Sequence, residues 1–369
     1  MGLRSYYNQF AGMSDEEITE QLKERSAEER RKALARVETL DLSQTTWHEL
    51  PHPDVVAAIT YVARGTLNLA ADPTAEELRR ELGRRNGIEP SRIAIGNGSA
   101  QLLASATRAL LQPGHELLIP WPSYSLYPLM AQRAGARAVP VPHGHDVERL
   151  LAAVRPETRA IALCNPNDPT GAYLPPARLR ELLDALPEHV SLLLDEALVD
   201  FVADDRAPSA SLALLDDHPR LLVFRTFSKI YGLAGLRAGY VLGGPGSEQL
   251  LERIAPELGV STPLQAGALE ALQVCDAQVA TRRAVVLAER ARVRDGLHEL
   301  ALDAQPSEAH LLWLRAPGLS ASELTARLRR GGVIVMSGEE VGDDEHVRAT
   351  IQGPHHTDRL LAAARTAAL

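Results

Sequence analysis

The run from Leu221 to Gly243 reads L-L-V-F-R-T-F-S-K-I-Y-G-L-A-G-L-R-A-G-Y-V-L-G. Its apolar opening, Leu221 to Phe224, predicts a buried strand. The strand passes directly into Arg225, Thr226, Ser228 and Lys229. Gly232, Gly235 and Gly239 follow, with Arg237 among them, and Tyr240 to Leu242 forms a second apolar run. Lysine is seldom buried unless it is paired or chemically used. A desolvated Lys229 would lose its proton readily and become a nucleophile able to form a Schiff base with a carbonyl. Arg237 is a permanent cation suited to a phosphate. A solvated loop with two ordinary charges is the competing reading of this stretch taken alone.

The chain has 369 residues, enough for one large domain and one smaller one. It is 45% hydrophobic and 24% charged, ordinary values for a soluble globular protein. A net charge of −9 argues against a general binder of nucleic acid or anionic membranes. The two cysteines, Cys164 and Cys275, are far apart and have no metal spacing, so a reduced cytoplasmic protein is expected. The start lacks the long apolar core of a signal peptide, and no run reaches the length of a membrane span. The pairs His143/His145 and His355/His356 have no acidic or cysteine ligands at metal spacing, so no metal is expected.

Along the chain, Ser14 and Glu17 fit a capping box that opens a charged helix over 14–37, with Ile18, Leu22 and Leu34 on its packed side. Asp41 to Pro53 is extended and polar. Pro73 to Gly87 predicts a helix. Ile93 to Ile95 then leads into Gly96-Asn97-Gly98-Ser99-Ala100 and a helix, a geometry that aims backbone N–H groups at a phosphate. Further strands are expected at Glu116–Pro120, Ala138–Val141, Arg159–Cys164, Ser191–Leu194 and Leu221–Phe224. Such alternation predicts an α/β fold with a mainly parallel sheet sandwiched by helices, whose ligands sit at the carboxyl ends of the strands. Polar groups recur at those ends: Gly98 and Ser99, Tyr124, Asp168, Asp195 and Lys229. Beyond Ser261, long helices at Gln265–Val274 and Val279–Leu300 precede strands at Leu311–Arg315, Val333–Met336 and Val347–Ile351, with a closing helix at Thr357–Ala368. The division expected is a large domain over 54–275 and a small α+β domain built from 1–53 with 276–369.

Together these clusters resemble the fold-type I pyridoxal-phosphate enzymes, the class I/II aminotransferases, and among them the histidinol-phosphate aminotransferase group. The resemblance covers nearly the whole chain from about Asp41. It is carried by R-T-F-S-K-I-Y-G-L-A-G-L-R-A-G-Y, by N-P-N-D-P-T-G at Asn165 to Gly171, and by the order of G-N-G-S, P-S-Y-S-L-Y, L-D-E-A and V-R-A-T-I. It implies that Lys229 holds pyridoxal phosphate as a Schiff base and shuttles a proton. Asp195 would pair with the pyridinium nitrogen. Gly98, Ser99, Ala100, Thr226 and Arg237 would hold the phosphate, and Tyr124 would stack on the ring. Arg348 would grip a substrate α-carboxylate. It also implies a homodimer acting on a small-molecule amino donor, an amino acid or amino-alcohol phosphate, and a 2-oxo acid.

The sequence departs from that pattern at several positions. Asp168 stands where the family has an asparagine that contacts the cofactor's O3′, and Leu198 where a tyrosine reaches the same oxygen. Ala70 takes the place of a tyrosine directed at the neighbouring subunit's phosphate. S-Q-T-T-W-H replaces an N-E-N-P segment, and Ala100 and Gln101 replace Asp-Glu. These changes motivate an alternative, a pyridoxal-phosphate decarboxylase, eliminase, cyclase or oxidase. A non-catalytic binder is disfavoured by the presence of Lys229, Asp195 and Arg237. Residues near Tyr7, Trp47, His48, Tyr127, Tyr231 and His310 are expected to read the donor side chain.

Overall fold

Three apolar strand cores, Ala160–Cys164, Ser191–Leu194 and Leu221–Phe224, are buried along their whole length, as expected for strands covered on both faces. They occupy the middle of the larger sheet. The structure is a computed structural model and describes residues 14, 17, 19, 20, 23, 24, 26–28, 39–142, 144–204 and 206–367.

In chain order the first elements are β1 (Leu40–Asp41), α1 (Pro53–Thr66), α2 (Glu76–Asn86), β2 (Ile93–Gly96), α3 (Ser99–Leu110), β3 (Glu116–Trp121), α4 (Tyr127–Arg133) and β4 (Arg137–Pro142). Next come α5 (Val147–Ala153), β5 (Thr158–Cys164), α6 (Pro176–Ala185), β6 (Ser191–Asp195), β7 (Leu221–Thr226), β8 (Gly239–Gly243) and α7 (Glu248–Ile254). The larger sheet runs β2-β8-β7-β6-β5-β3-β4. Only β8 is antiparallel to its neighbours in this array; the pairs β7–β6, β6–β5, β5–β3 and β3–β4 are parallel. One apolar cluster packs on one face of this sheet around Leu192, Leu194 and Val223. A second fills the other face around Leu193, Leu222 and Phe224. The alternation of neighbouring residues between the two clusters is the period-two signature of a sheet with both faces covered.

The chain continues through α8 (Thr262–Val274), α9 (Asp276–Glu299), β9 (Asp303–Ala304), β10 (Leu311–Arg315), α10 (Ala321–Arg330), β11 (Val333–Ile334), β12 (Met336–Ser337), β13 (His346–Thr350) and α11 (Pro354–Ala367). A smaller sheet of order β12-β13-β10-β9 carries its own apolar core, with Leu312, Leu314, Val347 and Ala349 on the strands and Leu324, Leu328 and Leu360 on the helices. The N-terminal segment belongs to this half. Leu40 and Asp41 pair with Val333 and Ile334, and Leu42 is buried in the same core.

Two expectations change. The helix placed over Pro73–Gly87 starts at Glu76. The Asp72 carboxylate accepts from the N–H groups of Thr74 and Glu76 at 2.9 and 2.8 Å, and Ala75 turns the chain at φ 51°. Asp72, rather than Pro73 and Thr74, therefore serves the open end of the helix. The strand expected over Val333–Met336 divides between two sheets: Val333 and Ile334 pair with β1, Met336 and Ser337 with β13. A continuous apolar run contains no signal for such a change of partner.

Of the charged N-terminal helix, the described part shows the Ser14–Glu17 box: the Ser14 N–H donates to the Glu17 carboxylate at 2.8 Å, and the Glu17 N–H to the Ser14 hydroxyl at 3.3 Å. Ile18, Leu22 and Leu34 lie outside the described residues, as do Tyr7 and His143. Among the described residues no helix is long and apolar enough to cross a membrane, and no cluster of three His, Cys, Asp or Glu side chains is placed to hold a metal.

Candidate active site

The carboxyl ends of β2, β3, β5, β6 and β7 open into one cavity. Its walls include Ser99, Ala100, Tyr124, Cys164, Asp168, Asp195, Leu198, Thr226, Ser228, Lys229 and Arg237. The sequence had placed Ser99, Ala100, Tyr124, Asp168, Asp195, Thr226, Lys229 and Arg237 in a single site, and the fold brings these side chains together. A second cavity adjoins it, sharing Tyr124 and Asp168 and adding Ser43, Gln44, Thr45, Met336, Glu340 and Arg348.

Lys229 follows β7 and is withdrawn from solvent. Burial holds its amine below the ordinary lysine range; Asp168 and Asp195 oppose that shift and Arg348 adds to it. The amine donates a hydrogen bond to the Thr45 hydroxyl. Asp195 ends β6, the strand beside β7. It is 4% exposed, and burial pushes its carboxyl up, against the hydrogen bonds it accepts from the Tyr127 hydroxyl at 2.9 Å and the Ala197 N–H at 3.0 Å. A buried carboxylate with two neutral donors and no ion-pair partner among the described residues is suited to a cationic ligand edge.

The opposite end of the cavity suits an anion. Gly98, at φ 83°, precedes α3, and no side chain caps that helix. The first N–H groups of the helix therefore face the cavity with the positive end of its dipole behind them. Arg237 closes this cradle from a left-handed backbone, φ 58°, that is uncommon outside glycine. A methyl group on Gly98 would come within 2.7 Å of the Arg237 guanidinium, and one on Gly239 would collide with the N–H of Ser99. The space is therefore reserved by two glycines for close approach of backbone and guanidinium. Thr226 donates its hydroxyl to Ser228 at 2.9 Å, on the same side. Tyr124 lies between the two ends; burial, reinforced by Asp195 and Asp168, raises its hydroxyl to about 12 and keeps it protonated.

The loop bearing Asp168 is held firmly. The Asn167 side chain donates to Pro122 O at 2.9 Å and to the Thr170 hydroxyl at 2.8 Å, and accepts from the Ser123 hydroxyl at 2.7 Å. Asn165 exchanges two hydrogen bonds with the backbone of Leu174. The peptide bonds before Pro122, Pro166 and Pro169 are cis. Asp168 faces β13 and pairs with Arg348, Oδ1 to Nη1, at 2.6 Å.

Other side chains fall differently from expectation. Tyr127 does not face a donor pocket: it is fully buried and orients Asp195. Trp47 is buried against Phe201 and donates to Glu49 at 2.9 Å, with the Arg282 guanidinium 5.1 Å above its ring. Tyr231 packs on Phe227 in the main core. His48 lies 4.2 Å from the His356 ring. Arg225, in the polar group before Lys229, turns away and forms a buried pair with Glu196 at 2.8 Å. Thr45 was missed, although its segment had been noted. Gln44, Thr46 and Ser43 supply backbone acceptors to Thr350, Gln352 and Arg348, and this strapping is what carries Thr45 to Lys229.

The comparisons with known proteins agree with this chemistry. The family profile "Aminotransferase class I and II" matches residues 38–367. An aromatic amino acid aminotransferase of Mycolicibacterium vanbaalenii is 37% identical over 318 residues, 85% of this chain and 88% of the relative. One from Thermobifida fusca is 37% identical over 319 residues, 86% and 87% of the two chains. Among solved structures, a histidinol-phosphate aminotransferase from Sinorhizobium meliloti in complex with pyridoxal-5'-phosphate superimposes with TM-score 0.81 at 30% identity, covering 91% of this chain and 93% of that one. A Thermus thermophilus aspartate aminotransferase mutant gives TM-score 0.79 at 25% identity, covering 94% and 95%.

His310 supplies a test of the site's electrostatics. It is buried, stacks on Phe201 at 4.2 Å, and donates from Nε2 to Thr45 O at 3.1 Å, while its Nδ1 has no partner. Burial, aided by the nearby Lys229, lowers it from 6.5 to about 3. Between these values the unfolded chain binds a proton that the native protein does not, so stability falls as pH falls through this window. The expected slope is up to about 1.4 kcal/mol per pH unit. Urea unfolding of the cofactor-free protein between pH 7 and 4 should show it, and His310→Gln should remove up to one proton's worth of the slope.

Proposed function

Because the chain belongs to the class I and II aminotransferases and is a pyridoxal-phosphate-dependent aminotransferase, we propose that it moves an amino group from an amino acid or amino-alcohol phosphate to a 2-oxo acid, with Lys229 as the cofactor's attachment point. The observation that carries this reading is the three-point arrangement of the cavity. One cavity is lined by the half-buried Lys229 amine, by a buried carboxylate, Asp195, and by an anion cradle formed by Gly98, Ser99, Ala100, Thr226 and Arg237.

When bound, pyridoxal phosphate supplies a carbonyl for amines and an electron sink for the pair left when a substrate Cα–H bond breaks. The protein's own groups do the rest. Arg237, the Thr226 and Ser99 hydroxyls and the first N–H groups of α3 neutralise the phosphate and fix its position. Asp195, oriented by Tyr127 and Ala197, holds the ring nitrogen in its protonated state. Tyr124 packs on the ring face. Lys229, its proton affinity lowered by burial, is the base placed to take a proton from Cα and return it to the carbon that receives the amino group. Arg348, on β13, takes the substrate carboxylate. Residues 54–275 form the large cofactor-binding domain, and, among the described residues, 39–53 with 276–367 the small domain that carries Arg348. Two free buried cysteines are in keeping with the cytoplasm.

The test is a single-turnover measurement. An amino donor added without a 2-oxo acid should release one carbonyl product per active site and then stop, and a 2-oxo acid should restart it. Lys229→Ala should abolish both half-reactions. Continuous release of carbon dioxide or ammonia from the donor alone would overturn the reading.

We also propose that the working form is a homodimer whose interface includes α1 and its flanks. Tyr61 is 82% and Leu67 78% exposed, beside Leu50, Val56 and Leu69, an apolar set too extensive for an open surface. Light scattering should give twice the 40.0 kDa chain mass. Tyr61→Glu with Leu67→Glu should give the monomer; a wild-type monomer would refute the dimer.

A further inference from the structure

Arg348 is already supplied with a carboxylate by the protein itself. Its Nη1 bonds Asp168 Oδ1 at 2.6 Å, with the two side chains 11% and 15% exposed. Its Nη2 bonds Ser43 O. Its Nε is sealed from solvent with no partner among the described residues. The fork that could receive an incoming carboxylate through two parallel N–H groups is therefore engaged at both outer nitrogens, and the remaining edge is closed. Asp168 does not reach Arg348 by chance of a long, loose side chain. Its loop is locked by Asn165 and Asn167 to the loop after β3 and to the Leu174 backbone. The pair joins residues 180 apart in sequence, across the two sheets.

The electrostatic consequence follows from charge counting. The Arg348–Asp168 pair is neutral by itself, and Glu340 is a further carboxylate in the lining of the same cavity. A substrate carboxylate must either displace Asp168 from Arg348 or stand beside it as a second buried anion. Both options cost binding energy in a site shielded from water, where like charges are poorly screened. A donor with an uncharged group at this position incurs neither cost.

We propose that Asp168 is the specificity-determining residue of the Arg348 subsite: it holds the guanidinium as a resident carboxylate and so disfavours α-carboxylate substrates relative to amines and amino alcohols that lack one. This rests on the assignment of Arg348 to the substrate carboxylate. It places the selectivity in the difference between carboxylate and uncharged ligands, because the competition is in binding; the opposition of Asp168 to the lowered proton affinity of Lys229 acts on every donor alike.

The test compares two unreactive ligands, 3-phenylpropionate and 3-phenylpropanamide, which share a side chain and differ in charge, by calorimetric titration of the pyridoxal-phosphate-loaded protein. In the wild type the carboxylate should bind no more than threefold tighter than the amide. Asp168→Asn should raise that preference at least tenfold, and adding Arg348→Met should abolish the gain. In turnover, Asp168→Asn should lower KM for an α-amino acid at least tenfold relative to the KM of the corresponding decarboxylated amine measured on the same variant. A wild-type carboxylate preference of tenfold or more overturns the proposal, and so does an Asp168→Asn preference within twofold of wild type. The wild-type ratio decides the matter even if the variant does not fold. Loss of bound cofactor absorbance in Lys229→Ala reports separately on the functional assignment, so failure of one is distinguishable from failure of the other.

Discussion

Two ionisable side chains withdrawn from water at the ends of adjacent strands, Lys229 after β7 and Asp195 on β6, set the terms for everything around them. Each is driven by burial toward its neutral form, the amine downward and the carboxyl upward. Neither has an ion-pair partner among the described residues, and leaving charges so placed is costly unless a ligand completes them. The hydrogen bonds they do have, from Tyr127 and Ala197 to Asp195 and from Lys229 to Thr45, orient without neutralising. The larger sheet exists, in functional terms, to hold these two groups at a fixed separation. Its central strands are buried throughout, so their ends cannot shift without disturbing both apolar clusters.

The second half of the site belongs to the smaller sheet. β13 presents Arg348, and the strapped segment after β1 presents Thr45 and the Ser43 carbonyl. The adjoining cavity therefore draws its groups from two separately cored bodies, while the cavity around Lys229 and Arg237 is lined from the larger sheet's side alone. The bonds from Arg348 to Asp168 and from Lys229 to Thr45 link the two bodies directly at this site.

Much of the first half was legible in the sequence because its signals are local. A strand core running into polar residues and glycines marks Lys229 and Arg237, and the same pattern marks Ser99, Asp168 and Asp195. Composition sharpens the point: the chain has three lysines, Lys23, Lys32 and Lys229, and only Lys229 lies beyond the N-terminal segment. What could not be read depends on contacts between distant parts of the chain. Tyr127 is 68 positions from the carboxylate it orients, and Thr45 is 184 from the amine it meets. Asp168 was recognised as a departure, but its effect was placed at the cofactor's oxygen; its partner Arg348 became apparent only from the fold. Trp47 and Tyr231 were expected near the donor side chain, and both pack against apolar clusters instead. The split of Val333–Met336 between two sheets was hidden by an uninterrupted apolar run.

The central claim is that burial makes Lys229 the reactive amine of this chain. Incubation with pyridoxal phosphate, reduction with borohydride and peptide mapping by mass spectrometry tests it directly, because only three lysines compete. The account predicts stoichiometric modification of the peptide carrying Lys229, with Lys23 and Lys32 left unmodified at equimolar cofactor. Modification that favours Lys23 or Lys32, or none at Lys229, would contradict it.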